Sequence, residues 1–316
     1  MNTSELDINN SFTTIPIAPE GFKSGFVAIV GRPNVGKSTL MNHLIGQKIA
    51  ITSPVAQTTR NRLQGILTTD KAQIIFVDTP GIHKPHHELG KVLVQNAKTA
   101  IKSVDLVLFI VDSSVDAGTG DRFILDLLKK LDTPVILGLN KVDLQPNNYQ
   151  FIDDSYADLI ADTNWSSVKF SATTGTGTDW LQQLLIEKLE TGPYYYPPDL
   201  VTDQPERFIM AELIREQILL HTRQEIPHSV AITIEKIEET PKVTKVNAAI
   251  NIERSSQKGI IIGKKGIMLK TIGTAARQQI QKLISGKVHL DLFVKVEPKW
   301  RQSRIRLAEF GYQVEE

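Results

Sequence analysis

The chain has 316 residues, 41% of them hydrophobic and 22% charged, which is too long for one ordinary core and apolar enough for two. It has no cysteine, so disulfide frameworks and cysteine-ligated zinc or iron–sulfur sites are excluded and a reducing, cytoplasmic compartment is expected. The net charge of +1 hides an asymmetry: residues 254–316 hold 13 Lys+Arg against 5 Asp+Glu, a balance of +8, so the preceding residues carry −7. Such a basic block suits phosphate backbones or anionic surfaces, although a solvated basic face gives the same count.

The first twenty residues lack the basic start and apolar stretch of a secretory signal and are expected to form a polar tail. No run of about eighteen apolar residues is present, so no bilayer-spanning helix is expected. From residue 25 to about 189, the runs FVAIV, IIFV, LVLFIV and PVILGL alternate with amphipathic stretches after Lys37, at 88–102 and at 122–131. Short apolar runs separated by helical patterns predict a doubly wound α/β domain with a mostly parallel sheet, placed at 21–191. Ligands of such sheets sit at the carboxyl ends of the strands.

The motifs fall at those ends. Gly31-Arg-Pro-Asn-Val-Gly-Lys37-Ser38 matches the phosphate-loop pattern G-x-x-x-x-G-K-S between a strand and a helix. Inward-facing backbone N–H groups and a helix start cradle phosphate there. Gly31, Asn34, Val35, Gly36, Lys37, Ser38 and Thr39 are expected to contact nucleotide, with Lys37 on the β/γ oxygens and Ser38 on Mg²⁺. In Ala56-Gln-Thr-Thr-Arg60, Thr59, or failing it Thr58, supplies a hydroxyl that reaches Mg²⁺ only when a γ-phosphate is present.

Asp78-Thr79-Pro80-Gly81 follows IIFV; Asp78 is a further Mg²⁺ carboxylate and the Gly81 N–H meets the γ-phosphate. His83, His86 and His87 have no accompanying carboxylate set and read as a mobile, solvated loop rather than a metal cluster. In Asn140-Lys141-Val142-Asp143, the two oxygens of ionised Asp143 match the paired N–H donors of guanine, an edge that adenine lacks. Ser171-Ala172-Thr173 completes the set, the Ala172 N–H being expected to donate to the guanine carbonyl.

Prolines in TGPYYYPPD break both periods, and a linker is placed at 192–205. Its three tyrosines pack the linker onto its neighbours or, alternatively, stack on bases. Beyond it, a helix at 206–221, strands at 229–235 and 243–252, a helix, a Gly-x-x-Gly turn, a helix at 267–283 and a strand at 288–296 predict a small α+β domain at 206–300, followed by a basic tail at 301–316. Gly263-Lys264-Lys265-Gly266 lets the backbone approach a ligand closely between two helices, with Lys258, Ile262, Lys270 and Arg277 around it. RNA binding follows, against the alternative of a helix-turn-helix with solvated lysines.

In this order, GRPNVGKS, QTTR, DTPG, NKVD and SAT resemble the translation-factor-related branch of the GTPases, and IIIGKKGI with its following helix resembles the core of a type II KH domain. Together, residues 24–300 are similar to the Era family of ribosome-assembly GTPases. The resemblance implies a monomeric GTP/GDP switch that binds small-subunit ribosomal RNA near its 3′ end and assists small-subunit assembly, with peripheral contact at the inner face of the cell membrane allowed. It also implies that Asn34 ligates K⁺. Ile82 stands where Ras-like proteins carry a water-orienting glutamine, so turnover is expected to be slow unless stimulated. The competing readings are a GTP sensor that scarcely hydrolyses and a membrane-associated regulatory GTPase whose basic domain reads anionic lipid.

Overall fold

The computed structural model describes residues 15–53, 63–78, 101–222, 226–284 and 286–310. The expectations attached to Thr58, Thr59, Thr79, Pro80, Gly81, Ile82 and the three histidines lie outside these residues, as does the amphipathic stretch up to residue 100.

The N-terminal unit is built on β1 (Lys23–Val30), β2 (Leu63–Thr68), β3 (Ala72–Asp78), β4 (Leu106–Asp112), β5 (Val135–Asn140) and β6 (Ser166–Lys169). They form one six-stranded sheet of order β2-β3-β1-β4-β5-β6, with β2 antiparallel to β3 and the other pairs parallel. The two-residue period of a strand sends Val27 and Ile29 to one face and Ala28 and Val30 to the other. Both faces therefore need cover. Helices α1 (Lys37–Ile45) and α4 (Thr178–Lys188) bury Leu40, Met41, Leu181 and Leu185 on the first. On the second, α2 (Thr119–Leu128) and α3 (Gln150–Ile160) bury Ile124, Leu128, Ile152 and Tyr156.

The edge strand β2 is not marked by an apolar run. Its Gly65 interrupts the pattern, and a Cβ there would meet Ile45 Cδ1 at 2.4 Å, so close packing onto α1 requires the glycine.

The C-terminal unit contains α5 (Glu206–His221), α6 (Ile226–Ser229), β7 (Val230–Glu239), β8 (Val243–Ile252), α7 (Ser255–Ile262), α8 (Ile267–Ile280), β9 (Lys287–Val296) and α9 (Arg304–Glu309). Its sheet has the order β7-β8-β9, antiparallel then parallel, which with the helix order gives the type II KH topology. Ile272, Ala276 and Ile280 recur at four-residue spacing on α8 and are all fully buried. Each isoleucine contributes roughly 1.5–3 kcal/mol of burial.

Residues expected to be a basic tail are partly folded onto this unit. Trp300 is buried, donates from Nε1 to the Ser229 carbonyl at 3.1 Å, and meets the Phe310 ring edge-on at 5.4 Å. The indole needs that cover, and Ser303 caps the helix beneath it by accepting from the Arg306 N–H at 3.3 Å.

The tyrosines of the linker take the packing role. Tyr194 lies 4.3 Å from Phe22 and Tyr195 5.1 Å from Phe26, centroid to centroid. Gln73 Oε1 accepts from the backbone N–H of Tyr195 and Tyr196 at 2.8 and 3.0 Å. The units also meet at Glu216 of α5, a buried carboxylate that accepts from Lys48 Nζ at 2.5 Å and from the Thr52 N–H at 2.7 Å.

Candidate nucleotide and RNA sites

Strand register brings the motifs to one edge. Ile29 of β1 pairs with Asp78 of β3, and Asp112 of β4 pairs with Asn140 of β5. The loop leaving β1 is shaped by its glycines. A Cβ on Gly31 would meet the Ile110 carbonyl at 2.3 Å, and Gly36, at φ +98, faces Asn140 Nδ2, which a Cβ would meet at 2.2 Å. Neither position tolerates a side chain.

Lys37 opens α1 and is buried. Its Nζ donates to the carbonyls of Gly31 at 3.2 Å and Arg32 at 2.9 Å. Burial pushes its pKa down from 10.5 to about 8, with the Asp78 carboxylate opposing that shift. Ser38 Oγ donates to Asp78 Oδ2 at 2.9 Å, so a hydroxyl and a fully buried carboxylate converge beside the lysine. Hard oxygen donors of this kind fit Mg²⁺, which prefers one or two protein oxygens plus phosphate oxygens and water. Asn34 is exposed and holds a left-handed φ of 64 within the loop.

Asn140 fastens the base side to the phosphate side. Its Nδ2 donates to the Val35 carbonyl at 2.7 Å, and its Oδ1 accepts from the Ala172 N–H at 2.9 Å. The donation expected from Ala172 to a guanine carbonyl is thus directed here to Asn140, which ties the Ser171-Ala172-Thr173 turn to the loop. Ser171 is buried and supports the same turn, its Oγ accepting from the Thr174 N–H at 3.1 Å. Lys141 stands at φ 71, and Asp143 lies exposed in the short turn Val142–Leu144 that follows.

Two acidic residues outside the expected motifs join this edge. Asp112 Oδ2 accepts from Lys141 Nζ at 2.5 Å, and Asp121 Oδ1 accepts from Arg32 Nε at 2.8 Å. Burial opposes ionisation of Asp112, but hydrogen bonds from Lys141 and Ser114 outweigh it and hold the carboxyl below its ordinary pKa. At Asp121 burial dominates and raises the pKa, against the Gly118 N–H and Arg32. Asp112 was legible as the residue ending an apolar run; Asp121 carried no signal.

In the C-terminal unit, Gly263 has φ 70 and ψ 176, and a Cβ there would meet Met268 Cβ at 2.6 Å. Gly266 has φ 77, and Lys265 between them is also left-handed at φ 53. This backbone presents Lys264 and Lys265 to solvent between α7 and α8, with Lys258 and Lys270 exposed on those helices and Ile262 half-buried. Gly266, Lys270, Arg277 and Leu292 help line a groove of ≈ 440 Å³ between α8 and β9. Among the described residues no helix is long and apolar enough to cross a membrane, and no group of three or more His, Asp or Glu side chains is placed to hold a metal.

A phosphate loop, a guanine-reading turn and a KH unit on one chain define a GTPase joined to a nucleic-acid-binding module. Comparison with known proteins agrees: residues 26–141 match the model of a 50S ribosome-binding GTPase and residues 225–301 that of a KH domain. The chain is similar to GTPase Era of Crocosphaera subtropica, at 76% identity over 98% of this chain and 99% of that protein, and to GTPase Era of Synechocystis sp., at 70% identity over 98% and 100%. A solved structure of Era in complex with MgGDPNP and nucleotides 1506–1542 of 16S ribosomal RNA superposes with a TM-score of 0.87, at 39% identity over 92% of this chain and 99% of that one. The chain belongs to the Era family of GTPases.

Proposed function

We propose that this chain is a monomeric GTP-hydrolysing switch whose KH unit takes single-stranded RNA from the 3′ end of small-subunit ribosomal RNA and assists assembly of that subunit. The carrying observation is the Gly263–Gly266 turn, whose backbone and exposed Lys264 and Lys265 form a phosphate-accepting approach. The Era structure bound to 16S nucleotides 1506–1542 supports the same target.

In this reading residues 31–39 hold the phosphates, Asp143 reads guanine, and the units divide at a linker over 192–205. Ser38 and Asp78, with Thr59, hold Mg²⁺, as expected from the MgGDPNP of the Era structure. The metal would neutralise charge building on the β/γ oxygens. Lys37 adds fixed charge in a water-poor site, where it acts more strongly than in solvent. No side chain becomes covalently attached; water is the nucleophile. Asn34 is the K⁺ ligand in this proposal, and turnover that is equal in K⁺ and Na⁺ would remove it from that role.

The test is binding of an RNA matching the 1506–1542 segment to GDPNP- and GDP-loaded protein across salt, with anionic vesicles in competition. Specific RNA binding that differs between nucleotides is expected. Vesicle binding without RNA binding would overturn the proposal in favour of a lipid-reading GTPase.

A further inference from the structure

The segment from Asp112 to Asp121 belongs to none of the nucleotide motifs, yet it grips two of them. From the geometry we infer that Asp112 and Asp121 are positioning residues for guanine nucleotide: Asp121 fixes the phosphate loop through Arg32, and Asp112 fixes the base-reading turn through Lys141. The inference rests on the placement of nucleotide at 31–38 and 140–143.

Each carboxylate divides its two oxygens between a local and a distant task. Asp121 Oδ2 accepts from the Gly118 N–H at 3.0 Å and caps α2, while Oδ1 accepts from Arg32 Nε at 2.8 Å. Asp112 Oδ1 accepts from the N–H and hydroxyl of Ser114 at 3.1 and 2.6 Å, while Oδ2 accepts from Lys141 Nζ at 2.5 Å. The Arg32 carbonyl in turn accepts from Lys37 Nζ at 2.9 Å, so the tether on the arginine side chain also sets the backbone that aims the lysine. Gly120 leaves room for this, since a Cβ there would meet Arg32 Cδ at 2.6 Å. Tyr156, buried, donates from its hydroxyl to the backbone carbonyl of Asp112 at 3.0 Å and so holds the strand end that carries this carboxylate.

A helix cap alone does not explain why Asp121 is fully buried. Burying a carboxylate costs several kcal/mol, and a buried ion pair is weak evidence for net stability. What such a pair supplies is a fixed geometry, here for Arg32, the second residue of the phosphate loop. In this inference the Arg32 guanidinium, engaged by Asp121, stabilises the loop and is not a source of charge for the reaction.

Asparagine separates the two tasks. In Asp121→Asn the amide oxygen still caps α2 and in Asp112→Asn it still serves Ser114, while the NH₂ group now faces Arg32 or Lys141 and cannot accept. The assay is equilibrium binding of fluorescent GDP to full-length protein, with thermal unfolding as the control. Each variant is expected to weaken GDP about five- to tenfold at nearly unchanged melting temperature. Arg32→Ala with Asp121→Asn should be no weaker than Arg32→Ala alone, and Lys141→Ala with Asp112→Asn no weaker than Lys141→Ala alone. Affinity within about twofold of wild type, or losses that multiply in the double variant, overturns the role of that carboxylate. Lys37→Ala is the separate control: if it binds GDP like wild type, the placement of the nucleotide has failed and not the brace.

Discussion

Replacing Lys37 by methionine should abolish nucleotide binding and yet relieve a cost that the nucleotide-free protein carries. Burial holds the Lys37 pKa at about 8 in the folded chain against 10.5 in the unfolded one. Between those values the unfolded chain binds a proton that the folded chain has released, so stability rises with pH across that window. At neutral pH the penalty approaches 2.5 units at about 1.36 kcal/mol each, or roughly 3.4 kcal/mol. By about pH 9.5 it has fallen to roughly 1.4 kcal/mol, so nucleotide-free wild type should gain about 2 kcal/mol over that range relative to Lys37→Met. The methionine also forfeits the hydrogen bonds to the Gly31 and Arg32 carbonyls, which shifts the absolute difference between the proteins and leaves its slope with pH alone. Urea unfolding of both nucleotide-free proteins from near neutral to about pH 9.5 measures that slope. A difference that stays flat with pH would refute the buried, depressed lysine.

Four further outcomes follow from the geometry. Asp143→Asn replaces one of the two acceptors for the guanine donors by an NH₂ donor and should weaken GTP by about two orders of magnitude or more while improving xanthosine nucleotides, measured by competition against fluorescent GDP. Lys264→Ala with Lys265→Ala should lower the slope of log K against log salt for single-stranded RNA by about 1.4 with little change in stability, and Gly263→Ala should cost about 1–3 kcal/mol of stability because φ 70, ψ 176 is a glycine conformation. Glu216→Ala strips the acceptor from the Thr52 N–H and from Lys48; hydrogen exchange at the Thr52 amide should accelerate, by about five- to 150-fold if roughly 1–3 kcal/mol is lost. An unchanged Thr52 rate would mean that the contact between the units does not hold that segment.

The shape of the loop at 31–38 was readable because its residues act through backbone conformation and fixed spacing. Gly31 and Gly36 are dictated by contacts with the Ile110 carbonyl and Asn140, and a glycine pattern is what sequence displays best. Asp121 was invisible because its partner Arg32 lies 89 positions away and only the packing of α2 against the sheet brings them together. The same holds for Glu216, whose partners Lys48 and Thr52 are more than 160 positions distant. The strand β2 escaped for a local reason, since Gly65 breaks the alternation, and the short C-terminal helix escaped because its anchor, Trp300, reads as one apolar residue in a basic run. The bond between the Ala172 N–H and Asn140 Oδ1 could not be read from the sequence, since it joins two turns 32 positions apart.

The segregation of charge gives the burial of Lys37 its meaning. Residues 21–191 hold 17 Lys+Arg and 17 Asp+Glu, so the unit that must hold a polyanionic nucleotide offers it no net attraction at long range, while an excess of +8 lies in residues 254–316. RNA can be gathered by exposed lysines, because many weak, screened contacts add along a backbone. A nucleotide touches few cations, and each must act strongly. Withdrawing Lys37 from water lowers the dielectric around it and strengthens its attraction for phosphate, at the cost of the depressed pKa that the free protein shows. The amide donors at the start of α1 act in the same low-dielectric space. In the proposed reading the two units recognise phosphate by opposite means, one by number and exposure, the other by burial and fixed geometry, and only the second depends on a brace such as Asp112 and Asp121.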